Sequence, residues 1–446
     1  MNSKRTYIKD LTNHIGFTVL IKGWVSVRRD QGKMIFFDFR DTSGTVQGVV
    51  LPKSAAMEAG KETRNEYVVA VEGTVNKRPD KNAQAGKQNG DIELEIKGMQ
   101  IISVARDLPF DLDTEVNLDT LFDHRPFTLR RERERAIFTV QSEIICAYRE
   151  FLTREDFKEF QAPKLVGDDA EGGGNVFRVE YFKDKDAFLA TSPQLYKQIM
   201  VGVFERVFAV GNVFRAEKHA TTRHLNEYTS MDIEMGFIED HTDIMRLENR
   251  CMIFLCDHLR AHCAAAFALL KAEIPTVPME IPRMKLREAQ ALITRETGVD
   301  CTQEPDLEPE HERWLCSYAK ENLGSDFIFI THYPVSKRPF YTMEDEADPG
   351  FTKSFDLLFR GVEITTGGQR EHDYDQLMKK LHLKNLDPLN FMFYLQAFKY
   401  GMPPHGGWGM GLERLTQKML GLENVKEATL FPRDMNRIDT RLSAEI

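Results

Sequence analysis

The sequence predicts an α+β chain in two parts, a small five-stranded β-barrel followed by a larger domain whose antiparallel sheet is flanked by helices. Three observations carry this prediction. The first hundred residues hold five short segments in which apolar and polar residues alternate, separated by turn-rich stretches. Beyond residue 130, strand-like runs alternate irregularly with helical ones, and few neighbouring strands are joined by a single crossover helix. Many of those strands are polar on one face, which suits an antiparallel sheet better than a doubly wound parallel one.

The barrel segments are FTVLIKGWVSV, MIFFDFRD, TVQGVV, EYVVAVEGTV and DIELEIKGMQII, with RRDQGK and NKRPDKNAQAGKQNG as the main turns. Five strands over residues 1–104 fit a small closed barrel. Phe36, Phe37, Arg28, Arg29 and Lys33 give it aromatic and basic character. Two readings are compatible with them. Exposed rings and cations bind single-stranded nucleic acid, the rings stacking on bases and the cations taking phosphates; equally, one ring belongs to the core and the cations to a solvated face. Alternation forbids Phe36 and Phe37 from both pointing inward.

Residues 105–130 are polar and proline-bounded, without clear periodicity, and are expected to form a linker. A helical pattern begins at ERAIFTVQSEIICAYREFLTRE and opens the larger domain, 131–446. Within it, long helices are expected near 242–272 and 388–401, and residues 275–325 form a helical insertion with no functional reading from sequence.

The composition bounds the function. At 446 residues, with 42% hydrophobic and 29% charged residues, the chain is an ordinary globular sequence with room for two cores. No apolar run is long enough to span a bilayer, and the first residues show no signal-peptide core, so a cytoplasmic location without membrane contact is expected. The six cysteines contain no C-x-x-C pair and no regular zinc spacing, and read as small structural thiols. Net charge is −10, yet residues 1–100 carry 16 Lys and Arg against 12 Asp and Glu, a net of +4, leaving −14 on the remainder. A mildly basic front on an acidic body confines any nucleic acid contact to a local surface.

Three stretches carry candidate chemistry. In VFRAEKHATTRHLNEYTSMDIEMGF, residues 213–237, two strand-like runs flank a polar loop holding Arg215, Glu217, Arg223, His224 and Glu227. Asp232 and Glu234, like Arg215 and Glu217, are two residues apart, so each pair projects from one face of its strand, where charges need partners. In RGVEITTGGQREHD, 360–373, Glu363 and Thr366 offer a carboxylate and a hydroxyl to a magnesium ion, and Arg370 can clamp a carboxylate. In ATSPQLYKQIM, 190–200, Ser192, Gln194 and Lys197 place polar groups at the start of an apolar segment. Lys197 fits a snorkelling surface lysine as well as a ligand-binding one. A further segment, HGGWGMGLERL at 405–415, is glycine-rich before a helix but lacks the Lys-Ser/Thr ending of a P-loop.

Together these stretches resemble the class II aminoacyl-tRNA synthetases and, within them, the aspartyl-tRNA synthetases of the compact archaeal and eukaryotic type. FKEFQAPKL, closing on Pro163, is similar to the first class motif; FRAE followed by RHLNEY is similar to the second; GMGLERL is similar to the third. SPQLYKQ and GGQR lie between them, and the likeness covers nearly the whole chain.

The resemblance implies an OB-fold anticodon-binding barrel, a class II catalytic domain, and activation of L-aspartate by ATP with Mg2+ before transfer to the 3′-terminal adenosine of tRNA-Asp. It implies that Arg215 contacts the α-phosphate and the substrate carboxylate, Glu217 the adenine amino group, and that Tyr228 stacks on the ring. Arg223 and His224 belong to the loop closing over the triphosphate, and Arg414 holds its γ end. Glu363 and Thr366, the latter also bordering the aspartate pocket, would ligate magnesium; the family more often has serine at the latter position. Lys197 and Arg370 would favour a carboxylate side chain over an amide of the same shape, and Asp232, supported by Ser192 and Gln194, would accept the substrate ammonium. Glu171 resembles part of a mobile loop over the amino acid, and His405 is expected in the same pocket. In the barrel, Phe36 would stack on the middle anticodon base, Gln47 would hydrogen-bond a neighbour, and Arg28 and Arg29 would contact phosphates. The family also implies a homodimer built around the first motif.

Rival readings share parts of this evidence. An asparaginyl-tRNA synthetase has the same fold and motifs, but the Lys197 and Arg370 cations favour aspartate. A non-catalytic tRNA-binding paralogue usually loses a motif arginine, and Arg215 and Arg414 are both present. tRNA-Asn is a possible second substrate; that choice rests with residues around Ser26 and 77–90, and Ser26 stands where the family often has a bulkier aromatic or histidine.

Overall fold

The computed structural model describes residues 4–442 except 85, 87, 168–174 and 220. The chain divides between Thr114 and Glu115 into two units. In the first, strands Thr18–Asp30, Ile35–Asp41, Gly44–Val50, Ile92–Ser103 and Val68–Lys77 close in that order into a barrel. The alternation seen in the sequence explains the closure: Val19, Ile21, Val25, Phe37, Phe39, Val71 and Leu94 fill the interior, while Lys22, Trp24 and other alternate residues are exposed. A bulge between Val25 and Val27 breaks the alternation of the first strand. The pair Arg40 and Glu66 is buried on the barrel, joined by two hydrogen bonds of 2.6 and 2.7 Å, with Arg40 also donating to Ser26 Oγ at 3.1 Å.

The second unit is built on an eight-stranded sheet in the order Arg283–Lys285, Phe327–Thr331, Ser354–Phe359, Val362–Arg370, His405–Gly411, Glu227–Gly236, Arg206–Phe214 and Lys158–Glu159. The six inner strands are antiparallel, as expected. The two short edge strands, which the sequence reading did not include, are parallel to their neighbours. Helices Glu132–Arg154 and His241–His262 pack on each other and on one face of the sheet, burying Ile144, Tyr148, Phe208, Ile233, Leu255 and Trp408 in a common core. The second helix starts at a capping box: Asp240 Oδ1 accepts from Thr242 N at 2.8 Å, and Asp243 Oδ2 reaches back to Asp240 N at 3.4 Å. The helix expected over 242–272 bends by 85° at Cys263 and continues as Ala264–Leu270. Near 388–401 a 3-10 turn, Pro388–Phe391, precedes helix Met392–Lys399.

Two segments differ from expectation. The stretch 105–130 is not a linker throughout: it contains helices Leu118–Asp123 and Arg125–Thr128, and buried Arg125 donates to the carbonyls of Thr429 and Leu430, both at 2.8 Å. The insertion is not only helical. It adds edge strand Arg283–Lys285 to the sheet, and helices Leu286–Thr297 and Pro309–Asn322 pack Leu286, Ile293, Leu315, Cys316 and Ala319 on Ile328, Ile330 and Leu358. Five cysteines are buried free thiols, Cys251, Cys256 and Cys263 among them as expected, and Cys146 is exposed. Among the described residues no single helix is long and apolar enough to cross a membrane.

Candidate active site

The face of the sheet opposite the main helices opens into a cleft of about 600 Å³. Its walls hold Ser192, Gln194, Arg215, Glu217, Arg223, His224, Tyr228, Asp232, Glu363, Thr366, Arg370 and Arg414, residues scattered over more than two hundred positions of sequence. The strands explain the convergence. Tyr228, Ser230, Asp232 and Glu234 alternate along Glu227–Gly236 and share its face, while Glu363, Thr366 and Arg370 come from Val362–Arg370.

Between these two charge-bearing strands runs His405–Gly411, which pairs Gly407 with Glu234 and Gly409 with both Asp232 and Thr366. A Cβ at Gly407 would collide with the Ile233 carbonyl and the Glu234 carboxylate, and one at Gly409 would lie 3.1 Å from Asp232 Oδ1. The glycines therefore leave room for acidic side chains to lean across the strand. This accounts for the glycine-rich stretch without a P-loop.

Beneath the cleft lies a ladder of four buried charges. Lys197 Nζ is 2.9 Å from Asp232 Oδ1, 2.9 Å from the Trp408 carbonyl and 3.5 Å from Glu234 Oε2. Arg370 Nε donates to Glu234 Oε1 at 3.0 Å, and its Nη2 donates to the Gly407 carbonyl at 3.1 Å and contacts Gln194 Oε1 at 3.4 Å. Two cations face two anions, so the ladder is neutral. Lys197 is 1% exposed and lies behind the cleft wall, reaching it through Asp232. Arg370 does line the cleft, and its Nη1 makes no hydrogen bond among the described residues. The second carboxylate oxygen of Asp232 accepts from Ser230 Oγ at 2.5 Å.

His405 does not line the cleft wall either. It is fully buried behind the cleft, with Nδ1 2.9 Å from the Pro403 carbonyl and Nε2 3.1 Å from Gln198 Oε1, and burial pushes its pKa down to about 4. A neutral ring donating from Nδ1 needs a donor at Nε2, which the Gln198 amide supplies when turned with its nitrogen toward the ring.

At the other end of the cleft, cations converge. Arg215 Nη1 lies 3.7 Å from Glu217 Oε1, and its guanidinium is 5.8 Å from the centre of the Tyr228 ring. Glu217 Oε2 faces His224 Nε2 at 3.6 Å, while His224 Nδ1 is 2.6 Å from Thr221 Oγ1. Burial, with the nearby charges of Arg414 and Arg223, lowers the His224 pKa against the opposing pull of Glu217. Arg414 Nη1 donates to the Glu363 carbonyl at 2.8 Å, which aims the side chain over the strand. Thr366 Oγ1 donates to Glu363 Oε1 at 2.8 Å, setting two hard oxygen donors side by side on the cleft wall. That donor set fits magnesium completed by phosphate and water rather than by protein alone, and no group of three His, Cys, Asp or Glu residues suited to a metal occurs among the described residues. Glu413 lies under Thr229, whose N–H it accepts at 2.9 and 3.1 Å, and burial raises its carboxyl to about 7.

Several wall residues carried no sequence signal: Lys337, Arg338 and Lys384 line the cleft from the 335–386 region, with Arg338 paired to buried Asp356 at 2.8 Å. Glu234 was visible only as a charge on the strand, and Glu312 not at all. Glu171 lies outside the described residues.

On the barrel, Arg29 pairs across strands with Phe36 and Asp38 with Gln47, so Arg29, Phe36 and Gln47 share one outward face. Arg29 is held by Asp38 through bonds of 2.8 and 2.9 Å, and the aspartate raises its pKa. Arg28 is not on this face: past the bulge it pairs with core residue Phe37 and bonds Asp30 and the Gly60 carbonyl.

Comparison with known proteins agrees with this geometry. Residues 117–435 match the model of the class II tRNA synthetases (D, K and N), and residues 19–102 match the OB-fold nucleic acid binding domain. The chain is 46% identical to an aspartate–tRNA(Asp/Asn) ligase of Deinococcus radiodurans over 98% of each chain, and 40% identical to an aspartate–tRNA(Asp) ligase of Pyrococcus abyssi over 97% of this chain and 98% of that one. Among solved structures, asparaginyl-tRNA synthetase from Pyrococcus horikoshii complexed with asparaginyl-adenylate superposes with a TM-score of 0.89 at 31% identity, covering 98% of this chain and all of that one.

Proposed function

We propose, from the premise that this chain belongs to the class II tRNA synthetases of the D, K and N type, that it is an aspartate–tRNA ligase. The observation that carries the choice of amino acid is Arg370 Nη1, without a hydrogen bond among the described residues, in the cleft that Asp232 also lines. Aspartate differs from asparagine by a charge, and a guanidinium edge rewards a carboxylate far more than an amide. The buried ladder is already neutral, so discrimination rests on this directed donor rather than on surplus positive charge. The asparaginyl enzyme of the same fold makes the fold itself silent on the point.

In this reading Asp232, with Ser230 behind it, receives the substrate ammonium, and Ser192 and Gln194 border it. Lys197 acts from below as the counter-ion that holds Asp232 and Glu234 in place. Arg215 holds the substrate α-carboxylate against the α-phosphate, so that the carboxylate oxygen attacks phosphorus in line and pyrophosphate leaves. Glu217 accepts the adenine amino group, Tyr228 stacks on the ring, and Arg223, His224 and Arg414 bind the outgoing phosphates. Catalysis is then mainly positioning and charge stabilisation. Glu363 and Thr366 would hold Mg2+, which neutralises phosphate charge when bound. The barrel face carrying Arg29, Phe36 and Gln47 would receive the anticodon of tRNA-Asp, with tRNA-Asn as a second candidate.

We further propose a homodimer. Phe204 and Phe237 are exposed on either side of the hydrogen bond from Gly236 N to the Glu205 carbonyl, close to the edge strand that belongs to the first motif region. Light scattering on the purified protein tests this.

The activity is tested by ATP–pyrophosphate exchange with aspartate and asparagine in parallel, then by charging of tRNA-Asp and tRNA-Asn. Exchange with aspartate alone is expected; preference for asparagine would remove the role given to Arg370.

A further inference from the structure

The insertion at 275–325 reaches the cleft at one point. Helix Pro309–Asn322 is anchored to the sheet edge by Leu315, Cys316 and Ala319, and its first turn presents Glu312, largely buried, toward the loop that carries Arg223. Glu312 Oε2 lies 2.5 Å from Arg223 Nη2 across 89 residues of sequence. A carboxylate in the first turn is favoured by the helix dipole, and arginine opposes the cost of burying it.

The loop is tied among the described residues by, for example, Arg223 N to Thr221 Oγ1 at 3.2 Å and Val425 N to the Thr222 carbonyl at 3.0 Å. The long Arg223 side chain lines the cleft, and Glu312 is its one side-chain partner among the described residues, bonded through Nη2 alone. Nε and Nη1 stay available. A guanidinium offers donors on more than one edge, so a carboxylate can hold one while another faces an incoming anion.

We propose that Glu312 is a positioning residue for ATP: it holds Arg223 by one amino group so that the remaining donors face the phosphates. This rests on the synthetase reading above. Without Glu312 the arginine side chain must be ordered at the moment of binding, with the entropy loss that ordering a long side chain carries. The insertion thereby takes part in nucleotide binding without touching the nucleotide.

The test is a double-mutant cycle on ATP–pyrophosphate exchange with aspartate. Glu312→Ala should raise KM for ATP about tenfold, the scale of losing one charge-assisted hydrogen bond, with KM for aspartate unchanged. Glu312→Gln, whose amide oxygen can accept the same bond, should restore much of the loss and also guards against a folding defect in the alanine variant. In an Arg223→Ala background, Glu312→Ala should add nothing further. An unchanged or lowered KM for ATP, a parallel rise in KM for aspartate, no rescue by glutamine, or an equal loss in the Arg223→Ala background would each overturn the proposal. Failure of the wild type to exchange with aspartate would instead overturn the activity reading.

Discussion

Lys197→Met gives the sharpest test of the buried ladder. At an effective dielectric of 20, a unit charge pair at the 2.9 Å separation of Lys197 and Asp232 attracts by about 6 kcal/mol, and the 3.5 Å approach to Glu234 adds about 5 kcal/mol. Desolvation offsets most of this in the intact protein. Removing the lysine alone leaves Asp232 and Glu234 sharing a single cation, Arg370, and breaking a buried pair in this way costs about 3–5 kcal/mol. For a unit of this size that corresponds to a fall in Tm of about 4–7 °C, read by following unfolding of the catalytic unit with intrinsic fluorescence. Adding Asp232→Asn restores neutrality around Glu234 and Arg370, so the double variant should recover at least half of the lost Tm while remaining inactive in exchange. A single variant that melts with the wild type, or a double variant that melts lower than the single one, would refute the ladder as an electrostatic unit.

Two further outcomes are expected. Phe36→Ala removes a stacking surface worth about 1–3 kcal/mol per base; KM for tRNA should rise on the order of tenfold while ATP–pyrophosphate exchange stays at the wild-type rate, and an equal fall in both assays would place Phe36 in the barrel core instead. Glu248 is fully buried in helix His241–His262, and burial raises its pKa from 4.5 to about 8. Between those values the folded protein keeps a proton that the unfolded chain has released, so the wild type loses stability as pH rises through this window. Glu248→Gln does not ionise; its stability relative to wild type should climb from pH 5 to 8 and then level off, and a difference independent of pH would contradict the assignment.

Much of the cleft was legible because each motif is local: Arg215 and Glu217, or Glu363 and Thr366, lie close enough in sequence for strand geometry to place them together. What was not legible depends on tertiary structure. Glu312 meets Arg223 only because the insertion folds onto the sheet edge, and nothing in its own helix marks it. Lys197 and His405 carry the residue types of a binding site, yet the packing of helix Gln194–Phe204 and of strand His405–Gly411 sets both one layer behind the cleft. Arg28 and Arg29 look equivalent in sequence, and they part because consecutive residues of a strand face opposite sides; the bulge between Val25 and Val27 sets which of the two faces out, and the local sequence gives no warning of it. The parallel edge strands were missed because segments of two and three residues have no period to detect.

Those short edges have a consequence for the life of the protein in a crowded solution. A wide antiparallel sheet offers two rows of unpaired N–H and C=O groups, and long flat edges recruit other chains by continuing the ladder. Here Arg283–Lys285 and Lys158–Glu159 end the sheet with segments too short to serve as a template, and both are rich in charge. Lengthening either with β-branched apolar residues would leave the cleft untouched and turn the enzyme into a chain that polymerises through its sheet.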